Sequence, residues 1–302
     1  MNISMVDNVS PSASKIRSAV TRRLCTLSSA LLCLCVANTA SADQLISARR
    51  ADGANVPLTS FAAMNSGGCA PLAVISPGAG GTEKTMGYLA TGLRNDGWNA
   101  VVVGHRESGP QAVSSAVMTS GVRRGLLALT TNRGAYTARF MDIAAALAAE
   151  SSRCQPPFKA LLGHSMGAAT VMLEAGAENK LGLVGQDRFD AYVAMSPQGP
   201  GSIFTANAWR GIRKPVLSLT GTRDNALEGR WQARTMPFSN MPAGCKWLGV
   251  IDGATHMNFA GGGAAATTEA LTLKMSLAFL DSLRNGRCGS PPTAGGISVQ
   301  AK

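Results

Sequence analysis

Six short apolar runs recur along the chain with helix-length segments between them: Leu72 to Ser76, Ala100 to Val103, Ala160 to Gly163, Ala191 to Ser196, Val216 to Thr220 and Trp247 to Ile251. Continuous apolar strands alternating with helices predict an α/β fold, a mostly parallel central sheet buried on both faces by helices. The segments between the runs suit helices over 85–96, ending before Gly97, over the Ala-rich 136–150, and over 166–178. A last helix is expected over 270–283, where Leu271, Met275 and Leu283 can share a face. Ahead of the first run, Asp52-Gly53 separates two strand-like segments and predicts an antiparallel hairpin at a sheet edge. Residues 261–268, GGGAAATT, read as a mobile loop and 286–302 as a flexible tail; no internal repeat is visible.

The N-terminus has a different character. Lys15, Arg17, Arg22 and Arg23 precede an apolar run from Leu24 to Val36 that ends in ANTASA, the pattern of a secretory signal cleaved between Ala42 and Asp43. That run is too short for a membrane-spanning helix, which needs about 20 residues, so no stable membrane insertion is expected. TRRLCTL slightly resembles a twin-arginine signal, but Cys25 and Thr26 stand where an apolar pair is usual. The reading is therefore a signal over 1–42, one domain over 43–285 and the tail, in a monomer that is secreted or periplasmic. The formal charge of +11 falls to +8 with the signal, and the remaining basic residues are scattered without interleaved aromatics, so no nucleic-acid partner is expected. Four of the seven cysteines remain, Cys69, Cys154, Cys245 and Cys288, an even set in an exported chain that allows three disulfide pairings. They lack C-x-x-C spacing, and the three histidines stand at unrelated positions, so neither a metal nor a cofactor is expected.

LLGHSMGAAT, residues 161–170, carries a G-x-S-x-G pattern. On its own this is weak, but FKALLG before it reads as a strand and MGAATVMLEAGA after it as a helix, and a sharp turn between the two lifts the hydroxyl of Ser165 above the strand ends. A serine hydroxyl attacks only if a base takes its proton and a carboxylate holds that base. His164 adjoins the serine and should point away from it, and His105 follows an earlier strand, out of the order serine, acid, histidine. His256, just after the last run, is left as the base. Asp224 in VLSLTGTRDN follows a strand between the two and is the first choice of acid, with Asp252 the second. SPGAGG, residues 76–81, follows the first run and can present the Ala79 N–H to an oxyanion beside the Met166 N–H; it lacks the Lys-Ser/Thr ending of a phosphate-binding loop.

Taken with GHRES, YTARFMDIAAAL, GTRDN and GATHMNF, these motifs resemble an α/β-hydrolase of the dienelactone-hydrolase-like and cutinase-like secreted group, over residues 50–284. One departure is Pro77, where many relatives carry His before the oxyanion glycine. The resemblance implies a Ser165, Asp224, His256 triad with Ala79 and Met166 as oxyanion hole, and hence a serine hydrolase cleaving carboxylic esters through an acyl-enzyme. Peptide or amide cleavage, or a non-catalytic binding protein on the same scaffold, are the alternatives. Because the resemblance makes the first and third runs sheet neighbours, it also implies Cys69–Cys154 and Cys245–Cys288 disulfides. Only 197–215 lie between the fourth and fifth runs, too little for a separate lid domain, so an open site for a small-molecule or polymeric ester follows, with Met166, Trp209, Trp231 and Phe259 as candidate walls.

Overall fold

The computed structural model describes residues 43–64, 68–227 and 229–302; the signal segment read from the sequence lies outside them. Two strands, β1 (Gln44–Arg49) and β2 (Asn55–Phe61), form the expected antiparallel edge hairpin, turning at Asp52-Gly53. The six apolar runs are then β3 (Leu72–Ser76), β4 (Asn99–Val103), β5 (Lys159–His164), β6 (Ala191–Met195), β7 (Val216–Arg223) and β8 (Lys246–Thr255). They are mutually parallel, and with β9 (Ile297–Ala301) they complete one sheet in the order β1-β2-β4-β3-β5-β6-β7-β8-β9.

Each parallel strand feeds both faces, because successive side chains alternate. Leu72 and Val74 of β3 join one core with Tyr136, Ile143 and Met172, while Ala73 and Ile75 join the other with Leu89, Leu93 and Phe279. The first core lies under α4 (Arg133–Arg153) and α5 (Met166–Glu174), the second under α1 (Gly87–Asn95) and α7 (Ala266–Arg284). These four helices were legible from the Gly97 stop after α1, the Ala-rich composition of α4, the turn motif ahead of α5 and the shared apolar positions of α7. The pair α2 (Pro110–Ser120) and α3 (Val122–Thr130) was not: α2 has no buried residue, and α3 buries only Gly125 and Leu129.

Two expectations are corrected. Residues 266–268 are not loop but the first turn of α7, where Thr268 is buried. The C-terminus is not a free tail: β9 pairs antiparallel with β8, from Ile251↔Ile297 to Trp247↔Ala301. Its cause is visible in ISVQA, where Ile297 and Val299 alternate toward the second core while the strand covers what would otherwise be the unpaired edge of β8.

Both implied disulfides are formed, Cys69–Cys154 and Cys245–Cys288. They tie the N-terminal edge of the sheet, since Cys69 precedes β3, Cys154 caps α4 ahead of β5, and Cys245 immediately precedes β8. Each closes a long loop, 85 and 43 residues in sequence separation. Removing either should cost about 2 to 4 kcal/mol, chiefly by freeing the unfolded chain. Paired Cys→Ala variants are thus expected to melt earlier while keeping full activity below the transition; a variant losing activity without losing stability would contradict this.

Candidate active site

The loops after β3, β5, β7 and β8 all leave the C-terminal edge of the sheet, and the order reverses at β3, whose neighbours are β4 on one side and β5 on the other. A crevice at such a reversal is where open α/β sheets bind ligands. Here it holds a cavity of about 550 Å³ with Ser165 and His256 on its wall.

Ser165 sits between β5 and α5 with φ 56 and ψ −116, backbone space that an L-residue occupies only under strain. The turn closes because its flanking residues have no side chains. A Cβ on Gly163 would strike the Gly167 carbonyl, and one on Gly167 would run into the Ser76 carbonyl at the end of the neighbouring β3. The Oγ of Ser165 lies 2.9 Å from His256 Nε2, and His256 Nδ1 lies 2.8 Å from Asp224 Oδ1. A carboxylate only accepts, so Nδ1 carries the proton and Nε2 is free to accept from Ser165. Asp224 is fully buried while the His256 side chain is 31% exposed, so the carboxylate is sealed behind an imidazole that the cavity can reach.

The amides of Ala79 and Met166 donate to no other described residue, and Met166 is the first residue of α5, whose opening N–H groups have no intrahelical partner. The Ala79 loop is held from behind by Arg139 of α4. Its buried guanidinium donates to the carbonyls of Pro77, at 2.8 Å, and Gly78, at 3.3 Å. Burial pushes the Arg139 pKa down to about 10, still a cation at neutral pH. His164 points away from the Ser165 hydroxyl: Nε2–H donates to the His256 carbonyl at 3.0 Å, and burial drives its pKa well below the histidine range.

The structure contains a second chain of the same three residue types. Ser76 Oγ lies 2.9 Å from His105 Nε2, and His105 Nδ1 lies 2.8 Å from Asp142 Oδ2. Hydrogen-bond geometry does not separate the two chains; access does. Ser76 is 0% exposed, His105 and Asp142 are each 2% exposed, and none of the three lines the cavity. Arg139 Nη1 donates to Ser76 Oγ at 3.2 Å, and burial pushes Asp142 up to about 6 and His105 well down, so this chain is a buried strut under the Ala79 loop.

The expected walls are corrected. Trp209 and Phe259 are fully buried in the two cores, Trp231 packs partly buried against the first, and the Met166 side chain is also interior; none of the four lines the cavity. Large apolar side chains go where they bury most area, and here that is under the sheet. The apolar side chains of the walls are Leu126 and Leu127 of α3, Ile203, Leu227 and Met257, with Thr130, Thr131, Gln198 and Asn225 among the polar ones. Arg123 of α3 donates to the Leu227 carbonyl at 3.3 Å, joining the two sides of the mouth. Sequence reading also passed over two residues that contact Asp224: Arg234, which stands in no recognisable motif, and Thr220, which lies within VLSLTGTRDN but carries no signal of its own.

Neither a family model nor a curated protein sequence matches the chain. Solved structures do. Est1E from Butyrivibrio proteoclasticus superposes with a TM-score of 0.55 at 15% identity, over 78% of this chain and 98% of its own. A protein described as a dienelactone hydrolase, from Klebsiella pneumoniae subsp. pneumoniae MGH 78578, gives 0.55 at 16% identity, over 79% and 99%. The fold is that of the α/β-hydrolases. DcsB, solved with a substrate analogue, shares it at a TM-score of 0.54 and 13% identity, covering 82% of this chain and all of DcsB. The α/β-hydrolase topology accounts for the clustering of 76–81, Ser165, Asp224 and His256, since each follows a parallel strand at its C-terminal end.

Proposed function

We propose that the chain is an exported serine hydrolase that cleaves uncharged carboxylic esters through an acyl-enzyme. The observation that carries this is the Ser165–His256–Asp224 hydrogen-bonded chain opening into a cavity, with two amides beside the serine that have no partner among the described residues. In the reaction Ser165 Oγ attacks the ester carbonyl carbon as His256 Nε2 takes its proton, and the oxyanion accepts from the N–H groups of Ala79 and Met166. Collapse expels the alcohol, which leaves with the proton from His256. Water then enters, loses its proton to the same nitrogen and releases the acid. The names of the neighbours support the reading: one is called a dienelactone hydrolase, and Est1E has been solved with ferulic acid bound.

The walls favour an uncharged, apolar substrate. Among the described lining residues Arg234 is the only one with a permanent charge, and its N–H groups point inward at Asp224, Asn225 and the Ser196 carbonyl. A free carboxylate on the acyl group would be buried against Leu126, Leu127 and Ile203 without a counter-charge. The test uses p-nitrophenyl esters of graded acyl length beside a hemisuccinate, together with a fluorophosphonate probe. Neutral esters should be hydrolysed, the anionic one at least about 10-fold more slowly, and the probe should label Ser165 alone by peptide mapping. Labelling elsewhere, or no hydrolysis of any ester, would remove the proposal.

A further inference from the structure

Asp224 has a partner that a nucleophile, base and acid do not require. Arg234, from the 3₁₀ turn Trp231–Thr235, has a side chain only 4% exposed that ends between Asp224 and His256. Its Nε donates to the Asp224 carbonyl at 2.8 Å and lies 3.0 Å from Asp224 Oδ1, and its Nη1 donates to the Ser196 carbonyl at 2.8 Å. Its Nη2 lies 3.0 Å from His256 Nδ1. With Nδ1 protonated toward Asp224, two donors face one another there, so the contact is a cation pressed against the ring edge rather than a hydrogen bond.

We infer that Arg234 is a positioning residue whose cation offsets the charge of Asp224 at the His256 ring edge, holding the imidazole as an acceptor for the Ser165 proton. This rests on the ester hydrolase reading. A carboxylate beside an imidazole favours the protonated ring, and a cation at the same distance disfavours it. The groups facing the ring are Asp224 from the loop after β7, Arg234, Ser165 from the turn after β5, and His164 from β5, whose ring centroid is 4.7 Å away. Burial keeps His164 neutral, so Arg234 is the only cation among these. Thr220 supplies an internal control. Its hydroxyl donates to Asp224 Oδ2 at 2.9 Å, steadying the same carboxylate without adding charge.

The experiment is the pH profile of kcat/KM for a neutral p-nitrophenyl ester, repeated as the rate of fluorophosphonate labelling. For the unmodified protein the rate should rise with pH as the imidazole loses its proton, and the midpoint of that rise is the reference for the variants. Arg234→Met and Arg234→Gln should each raise the midpoint by about 1 pH unit or more, and Arg234→Lys should return it toward the unmodified value. Thr220→Val should lower kcat without moving it. Thermal melting checks that each variant folds, and Gln, which keeps one donor, stands in for Met if the apolar variant does not. Charge-removing variants with lower kcat and an unmoved midpoint would make Arg234 a packing residue and overturn the inference. Absence of ester hydrolysis and labelling at every pH is a different result, and it removes the hydrolase reading itself.

Discussion

Replacing Ser165 with alanine is expected to abolish fluorophosphonate labelling and to lower kcat by about 10⁶-fold, the loss seen when one member of a cooperating nucleophile and base is removed. The substitution deletes only the Oγ, which lies 2.9 Å from His256 Nε2, and leaves a Cβ in the same turn, so melting should be nearly unchanged. Among the described residues two serines have a histidine and an aspartate in series behind them, so the variant also decides between them. If Ser76 were the nucleophile, Ser165→Ala would still be labelled. Ser76 is 0% exposed and shares its hydroxyl with Arg139, which leaves no path for a probe. Labelling that persists in Ser165→Ala would therefore end the assignment.

What the sequence made legible follows from how locally each feature is encoded. The runs that became β3 to β8 are continuous apolar stretches, which no other environment accommodates as well as a sheet covered on both faces. The turn at Ser165 was readable because two glycines within five residues mark close backbone contacts, one inside the turn and one with the end of β3. His256 was readable because the chain has only three histidines. Long-range packing left weaker traces. The pair α2 and α3 is stabilised by mutual contact, with Gly125 lying against the Ala116 carbonyl, rather than by an apolar face turned to the sheet, and its Leu126 and Leu127 became cavity wall. Trp209 and Phe259 are near the site in sequence logic, but their size drew them into the cores. Residues 297–301 follow a run rich in Gly and Pro that suggested disorder, yet the open edge of β8 gave ISVQA a strand to join.

Asp224→Asn is expected to lower kcat by about 10⁴-fold, because the amide can offer an N–H where the carboxylate accepts, and the imidazole then turns its proton toward Ser165 instead. Unlike the serine variant, this one should also lose stability. Asp224 is fully buried and lies 3.0 Å from Arg234 Nε, so neutralising it strands a buried cation, at a cost of about 3 to 5 kcal/mol. The two effects separate by temperature: the catalytic loss should be complete well below the variant's transition, where the protein is still folded by circular dichroism. Asp252 provides the comparison. It is exposed, accepts from Thr222 Oγ1 at 3.0 Å, and has no contact with His256, so Asp252→Asn should change kcat and melting little. If Asp252→Asn proves the more damaging of the two, the acid has been misassigned. The charge balance inferred for Arg234 would then lose its anchor as well, because it depends on the carboxylate that holds Nδ1 being the one that the guanidinium touches.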